Sequence, residues 1–157
     1  MIKIDIVSVG KVKEKYFSEG ILEYSKRIGK FADFSVIEVL EENYKNFSEG
    51  LIPQILEKES ERILPFLKGY VIACAIEGKK LSSENLSKKI IELKNSGVSQ
   101  ITFVIGGSYG LSDKIKKRAD MLLSVSDMTF PHTLFRLMLT EQIYRALSIE
   151  NGIKYHK

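Results

Sequence analysis

The glycine-rich stretch Gly106-Gly107-Ser108-Tyr109-Gly110 follows directly on the apolar run Ile101–Ile105. Three of its five positions carry no Cβ, so backbone amides and carbonyls there can approach a bound molecule closely. An ordinary tight turn would have the same composition. The G-x-G-x-x-G dinucleotide fingerprint is absent, as is the G-x-x-x-x-G-K-[ST] phosphate loop. Asp127 follows Gly107 by 20 residues, the separation of a ribose-binding acid, but the glycine spacing does not match.

A second segment, Ser124-Val125-Ser126-Asp127-Met128-Thr129-Phe130-Pro131-His132, joins small hydroxyl residues and an acid to apolar side chains. An adenosine needs a flat apolar slot and a few polar partners, which this composition supplies. The segment reads equally as a plain strand-to-helix connection bracketed by Pro131.

The only histidines are His132 and His156, too far apart and too poorly supported by Cys or Glu for a zinc site. His132, just after Pro131, suits a helix start. His156 lies in the terminal Gly152-Ile153-Lys154-Tyr155-His156-Lys157, which fits a frayed tail. A tail of Tyr, His and Lys also suits stacking on a base and neutralising phosphate. The lone cysteine, Cys74, cannot form an internal disulfide, and no basic neighbour in sequence activates it as a nucleophile.

The elements that must hold these residues follow from periodicity. Apolar runs at 2–9, 34–40, 70–76, 101–105 and 121–126 read as strands. Helical spacing marks about 14–28, 51–67, a segment capped by Ser82 and stopped by Gly97, 112–120, and 132–149. Glu41–Asn46 is too polar for a core and reads as a surface loop. Strands alternating with helices predict an α/β fold with a mainly parallel sheet and helices on both faces. Ligands in such sheets sit beyond the carboxyl ends of strands, so the turns after Ile76, Ile105 and Ser126 are the first candidates. The last helix is apolar on nearly all sides and must be buried on most of them.

With 157 residues, 44% hydrophobic and 28% charged, one folded domain is expected. Charges interrupt the apolar N-terminus and no run has bilayer-spanning length, so neither a signal peptide nor a membrane segment is expected, and the reading is cytosolic. The net charge of +4 and pI near 9.0 are compatible with a phosphate-rich partner. The cluster Lys114, Lys116, Lys117 and Arg118 reads first as a solvated helix face.

With these segments in place, the chain resembles, nearly end to end, the RlmH family of ribosomal RNA methyltransferases in the SPOUT or α/β-knot superfamily. The resemblance rests on Ile6-Val7-Ser8-Val9-Gly10-Lys11, Ile105–Leu111, Met128-Thr129-Phe130-Pro131-His132, Glu141-Gln142-Ile143-Tyr144-Arg145-Ala146 and, most tellingly, Tyr155-His156-Lys157. It implies one SPOUT-type domain over 1–157 whose C-terminal part, from about residue 70, forms a trefoil knot, a topology that ordinary folding rules would not select. It further implies a homodimer acting on the assembled ribosome. The reaction would move a methyl group from S-adenosylmethionine to N3 of a pseudouridine in 23S rRNA, with no metal.

By this resemblance the donor is held by Cys74, Gly106, Gly107, Val125, Ser126, Asp127, Met128, Thr129 and Phe130. Cys74 stands where the family pattern has leucine, so its contact is through backbone or packing. His156 becomes the base or base-positioning group, Tyr155 a stacking or hydrogen-bonding partner, and Arg136, Arg145, Lys154 and Lys157 RNA contacts. The alternative reading is a ribosome-binding factor of the same fold without catalytic activity.

Overall fold

A computed structural model describes residues 1–157. Five strands form one parallel sheet in the order β2-β1-β4-β3-β5. They are β1 (Lys3–Val9), β2 (Asp33–Val39), β3 (Tyr70–Lys80), β4 (Gln100–Ile105) and β5 (Met121–Ser124). The helices are α1 (Lys15–Ile28), α2 (Ile52–Ile63), α3 (Ser83–Asn95), α4 (Asp113–Arg118) and α5 (His132–Glu150). The α/β class, the parallel sheet and the helices on both faces are as the sequence implied, and the strand order is compatible with the expected knot. No helix is long and apolar enough to cross a membrane.

Side chains alternate across the central strands and so build two cores. Ile4 and Ile6 of β1, Ile72 of β3 and Ile101 and Phe103 of β4 face α1, α3 and α5. Val7, Val9, Val71, Ala73 and Val104 face Ile63 of α2 and Ile115 of α4. Each fully buried residue of this size contributes about 1.5–3 kcal/mol, so β1 and β4, buried on both faces, form the rigid base for the loops at their carboxyl ends.

Helix α5 packs against α1 on one side and α3 on the other, which explains why it is apolar all round. The 51–67 segment is not one helix: a 3-10 turn at Glu49–Leu51 precedes α2 and another at Leu64–Phe66 follows it. Pro53 opens α2 where its missing N–H costs nothing, and Pro65 forbids the helix from running on.

Two strand ends differ from expectation, and both shape the site. β5 stops at Ser124 because the Ser126 hydroxyl accepts the Met128 N–H at 3.1 Å, and Ser124 Oγ donates to the Ser126 carbonyl at 3.1 Å. These local bonds turn the chain out of the sheet. β3 does not end at Ile76 but continues to Lys80, with a break in register against β5 between Cys74 and Lys79. Gly78 permits the renewed pairing, since a Cβ there would lie 2.7 Å from the Leu122 and Leu123 backbone. The intervening residues bulge from the ladder and open a hollow beside the sheet edge.

Candidate functional site

A cavity of about 620 Å³ lies beyond the carboxyl ends of β4 and β5 and beside the bulge in the middle of β3. Three loops form it: the β3 bulge through Cys74, Ala75 and Ile76, the glycine loop after β4, and the turn from Ser124 to His132 at the start of α5. Two of these are the turns that strand order singled out in the sequence, after Ile105 and around Ser126; in place of the expected turn after Ile76 the third segment lies within β3, which continues to Lys80. The volume falls within the range of roughly 300–1,000 Å³ usual for small-molecule sites.

The glycine loop is closed on itself. Gly107 and Gly110 form an isolated antiparallel bridge in which the Gly110 N–H donates to the Gly107 carbonyl at 3.1 Å. A Cβ on Gly106 would fall 2.4 Å from the Gly110 carbonyl carbon and oxygen, so only glycine permits this closure. Outside the cavity Tyr109 stacks on Phe47, with ring centroids 5.3 Å apart, tying the glycine loop to the loop after β2. Behind Gly107 sits the buried Glu59 of α2, its Oε1 3.4 Å from where a Gly107 Cβ would stand and its Oε2 accepting the Glu42 N–H at 3.0 Å. Burial holds the Glu59 carboxyl above the usual carboxylate range, with Glu41 reinforcing and the Glu42 N–H opposing.

Of the residues expected to hold the donor, Cys74, Gly106, Gly107, Val125, Ser126, Met128, Thr129 and Phe130 all line the cavity. Asp127 does not: its side chain is 81% exposed and pairs with Lys80 at 2.5 Å. Cys74 is partly open to the cavity, yet the protein packed around its sulfur pushes the thiol up to about 12, so it keeps its proton and acts as apolar lining. His132, whose place after Pro131 implies only a helix start, also lines the cavity as the first residue of α5. No cluster of three or more His, Cys, Asp or Glu side chains converges on a point.

The tail is ordered but lies elsewhere. The Tyr155 hydroxyl donates to Glu141 Oε1 at 2.9 Å and lies 3.1 Å from the Tyr24 hydroxyl, while its ring packs edge-on against Tyr144. Burial and these two partners hold the Tyr155 hydroxyl well above the usual phenol range. His156 bonds through both ring nitrogens: Nδ1 to Arg145 Nη1 at 3.0 Å and Nε2 to Glu84 Oε1 at 2.7 Å. Arginine can only donate, so Nδ1 accepts and Nε2 carries the proton given to Glu84. No lone pair remains on His156 to take a substrate proton in this arrangement. None of the tail's partners lines the cavity of the same chain.

The basic residues divide in the same way. Arg136, expected at an RNA or dimer surface, is 2% exposed. Its guanidinium donates to Glu38 Oε2 at 2.5 Å and to the Gly10 carbonyl at 3.0 Å, so it ties α5 to β2 and to the end of β1. A surface role is thereby corrected to a structural one. Arg145 is occupied by Glu141 and lies over the Tyr155 ring, 4.7 Å from its centroid, so it supports the tail. Lys154 and Lys157 are exposed. Lys114 and Lys116 pair with Glu57 and Glu77 across the surface, in keeping with a solvated face.

The comparisons with known proteins agree with this geometry. The family model described as "Predicted SPOUT methyltransferase" matches residues 2–156. The chain is 51% identical to the ribosomal RNA large subunit methyltransferase H of Streptococcus thermophilus, covering 99% of both chains. It is 52% identical to the protein of the same name from Bifidobacterium adolescentis, again over 99% of both. Among solved structures, a probable methylase family protein from Haemophilus influenzae superposes with a TM-score of 0.57 at 13% identity, covering all of this chain and 72% of that one. A putative methyltransferase of Legionella pneumophila, solved with S-adenosylmethionine bound, gives 0.51 at 11% identity over 92% of this chain and 66% of that one. At such identities the two structures speak for the fold alone, while the matched family model and the half-identical relatives show that this chain belongs to the SPOUT methyltransferases, among the large-subunit ribosomal RNA methyltransferase H proteins.

Proposed function

We propose that this protein methylates N3 of a pseudouridine in 23S rRNA of the assembled ribosome, with S-adenosylmethionine as donor, and that it works as a homodimer. The observation that carries the reading is the cavity itself: a glycine loop and the Val125–Phe130 turn enclose it, in a chain half identical to proteins named for ribosomal RNA methylation. Leu123, Val125, Met128 and Phe130 offer an apolar slot for a purine. The glycine loop brings unshielded backbone polar groups to the same space, and Ser124 and Thr129 add hydroxyls. This lining fits an adenosine group.

The sulfonium of the donor supplies an already electrophilic methyl group. The protein's tasks are then to hold the accepting nitrogen in line with that methyl and to let its proton leave. N3 lies between two carbonyls and becomes nucleophilic once deprotonated.

The dimer accounts for the tail. Tyr155 and His156 are fixed on α1, α3 and α5 of their own chain, away from that chain's cavity, and Lys157 follows them exposed. A tail with these residue types serves a partner's cavity, where Tyr155 and His156 position the base and Lys154 and Lys157 meet phosphate. Tyr16 and Leu22 of α1 and Met128 at the cavity mouth are 70%, 57% and 74% exposed, apolar surface that a second copy would cover. A ribosomal substrate places the protein in the cytosol.

The alternative, a ribosome-binding factor without catalysis, is separated by calorimetry. The enzyme reading expects saturable one-site binding of S-adenosylmethionine per chain, and absence of binding heat supports the factor. A domain of this size offers little RNA-contacting surface, so activity on ribosomes should far exceed activity on the isolated stem-loop. Equal rates on both substrates would refute the role given to the assembled ribosome.

A further inference from the structure

We propose that His132 is the proton acceptor of methyl transfer, taking the N3 proton of the target base as the methyl group arrives. The inference rests on the methyltransferase reading above and names the base within that same site.

The cavity lining contains only two side chains that can titrate, Cys74 and His132. The Cys74 thiol, pushed up to about 12 by burial, has almost no thiolate with which to accept a proton near neutrality. Histidine is the side chain type that exchanges protons in that range. The His132 imidazole makes no hydrogen bond within the chain, whereas both nitrogens of His156 are occupied. Its position is fixed by α5, whose first turn is anchored when Arg136, one turn further on, bonds to the Gly10 carbonyl at 3.0 Å.

The surroundings suit a transient imidazolium. His132 Nε2 and Glu41 Oε2 each stand 3.8 Å from the point where a Cβ of Gly10 would lie, so they converge across a gap that glycine leaves open. Gly10 adopts φ +86°, which favours glycine there on backbone grounds too. Glu41 supplies negative charge from the loop after β2. The Arg136 guanidinium on the same side is offset by Glu38 at 2.5 Å, and Cys74 on β3 stays neutral.

In the step itself the N3–H bond breaks and its proton passes to an imidazole nitrogen of His132. The freed N3 pair forms the bond to the methyl carbon. The carbon–sulfur bond breaks with its electron pair on sulfur, leaving a neutral thioether. The imidazolium then returns its proton to solvent, so charge and electrons balance without any further reagent.

The test uses wild type, His132→Gln and His132→Ala with ribosomes that lack the modification, in single-turnover methyl transfer with S-adenosylmethionine from pH 6 to about 9. General-base removal should cost about 100-fold or more at neutral pH, with donor affinity by calorimetry held within about threefold. The deficit should shrink as pH rises toward ionisation of the base's own N3–H, and added imidazole should restore part of the His132→Ala rate. Those two signatures do not follow from a merely structural role. Rates near wild type, a deficit constant with pH and deaf to imidazole, or a loss of donor affinity equal to the loss of rate each overturn the proposal. Silence of the wild type itself overturns the methyltransferase reading first, and with it this one.

Discussion

Replacing Gly106 by Ala separates the donor loop from the rest of the fold. The new Cβ would lie 2.4 Å from the Gly110 carbonyl carbon and oxygen and 2.9 Å from its Cα, all backbone atoms that cannot swing aside. Reaching an ordinary contact requires Gly110 to retreat by about 1 Å, which breaks the 3.1 Å bond from the Gly110 N–H to the Gly107 carbonyl. Losing that bond and misaligning the groups beside it costs about 1–3 kcal/mol of donor binding. That corresponds to S-adenosylmethionine affinity weaker by about 5- to 150-fold. Gly97 is the control for a destabilising Gly→Ala change away from the cavity: its φ of +90° carries a backbone penalty that Gly106 does not have, while a Cβ there meets nothing within 4 Å. Gly97→Ala should lower thermal stability and leave donor affinity intact. Calorimetry on both variants, with circular dichroism to confirm folding, is sufficient. Unchanged affinity in folded Gly106→Ala would show that the glycine loop does not hold the donor.

Other expectations follow from the buried charges. Arg136→Ala should destabilise the protein by about 2–4 kcal/mol in urea titration, because it leaves a cavity and an unpaired Gly10 carbonyl; a surface role would predict almost no change. Glu59→Gln should raise the melting temperature at pH 7. The folded carboxyl is held above its unfolded value of about 4.5, so wild type loses stability as pH climbs past that value, and the gain from Gln should vanish below pH 4. Equal melting temperatures at both pH values would contradict this. Cys74, with its thiol near 12, should react with iodoacetamide at pH 8 at least about 100-fold more slowly than an unfolded cysteine; rapid labelling of native protein would show that the sulfur is neither buried nor protonated.

The features legible in the sequence are those whose causes are local. The strands around Ile4, Ile72 and Phe103 announce themselves by apolar runs, and Ser82 caps α3 by accepting the Asn85 N–H, a device visible as a residue pattern. Two of the three site segments are legible because they follow strand ends in a parallel sheet, after Ile105 and after Ser124. What stayed hidden depends on residues far apart in the chain. Arg136 reads as a surface cation until Glu38, 98 residues away, is brought against it. His156 reads as a free base until Arg145 donates to its Nδ1 and Glu84, 72 residues away, accepts from its Nε2. The β3 bulge depends on how closely Gly78 approaches β5, which β3 alone does not encode. One signal was available: Glu59 falls on the buried stripe of α2, one turn after Ile55 and one before Ile63. A carboxylate in that register marks a buried polar contact, and it lies behind the glycine loop.

Methyl transfer to one base of the large-subunit RNA underlies every expectation for the cavity. Its most direct measurement incubates the purified protein with tritiated S-adenosylmethionine and ribosomes from cells lacking the modification, then maps the label by nuclease protection and mass spectrometry. About one methyl group per ribosome is expected, on N3 of a single pseudouridine in 23S rRNA. Label in small-subunit RNA, on a ribose, or nowhere at all would contradict it.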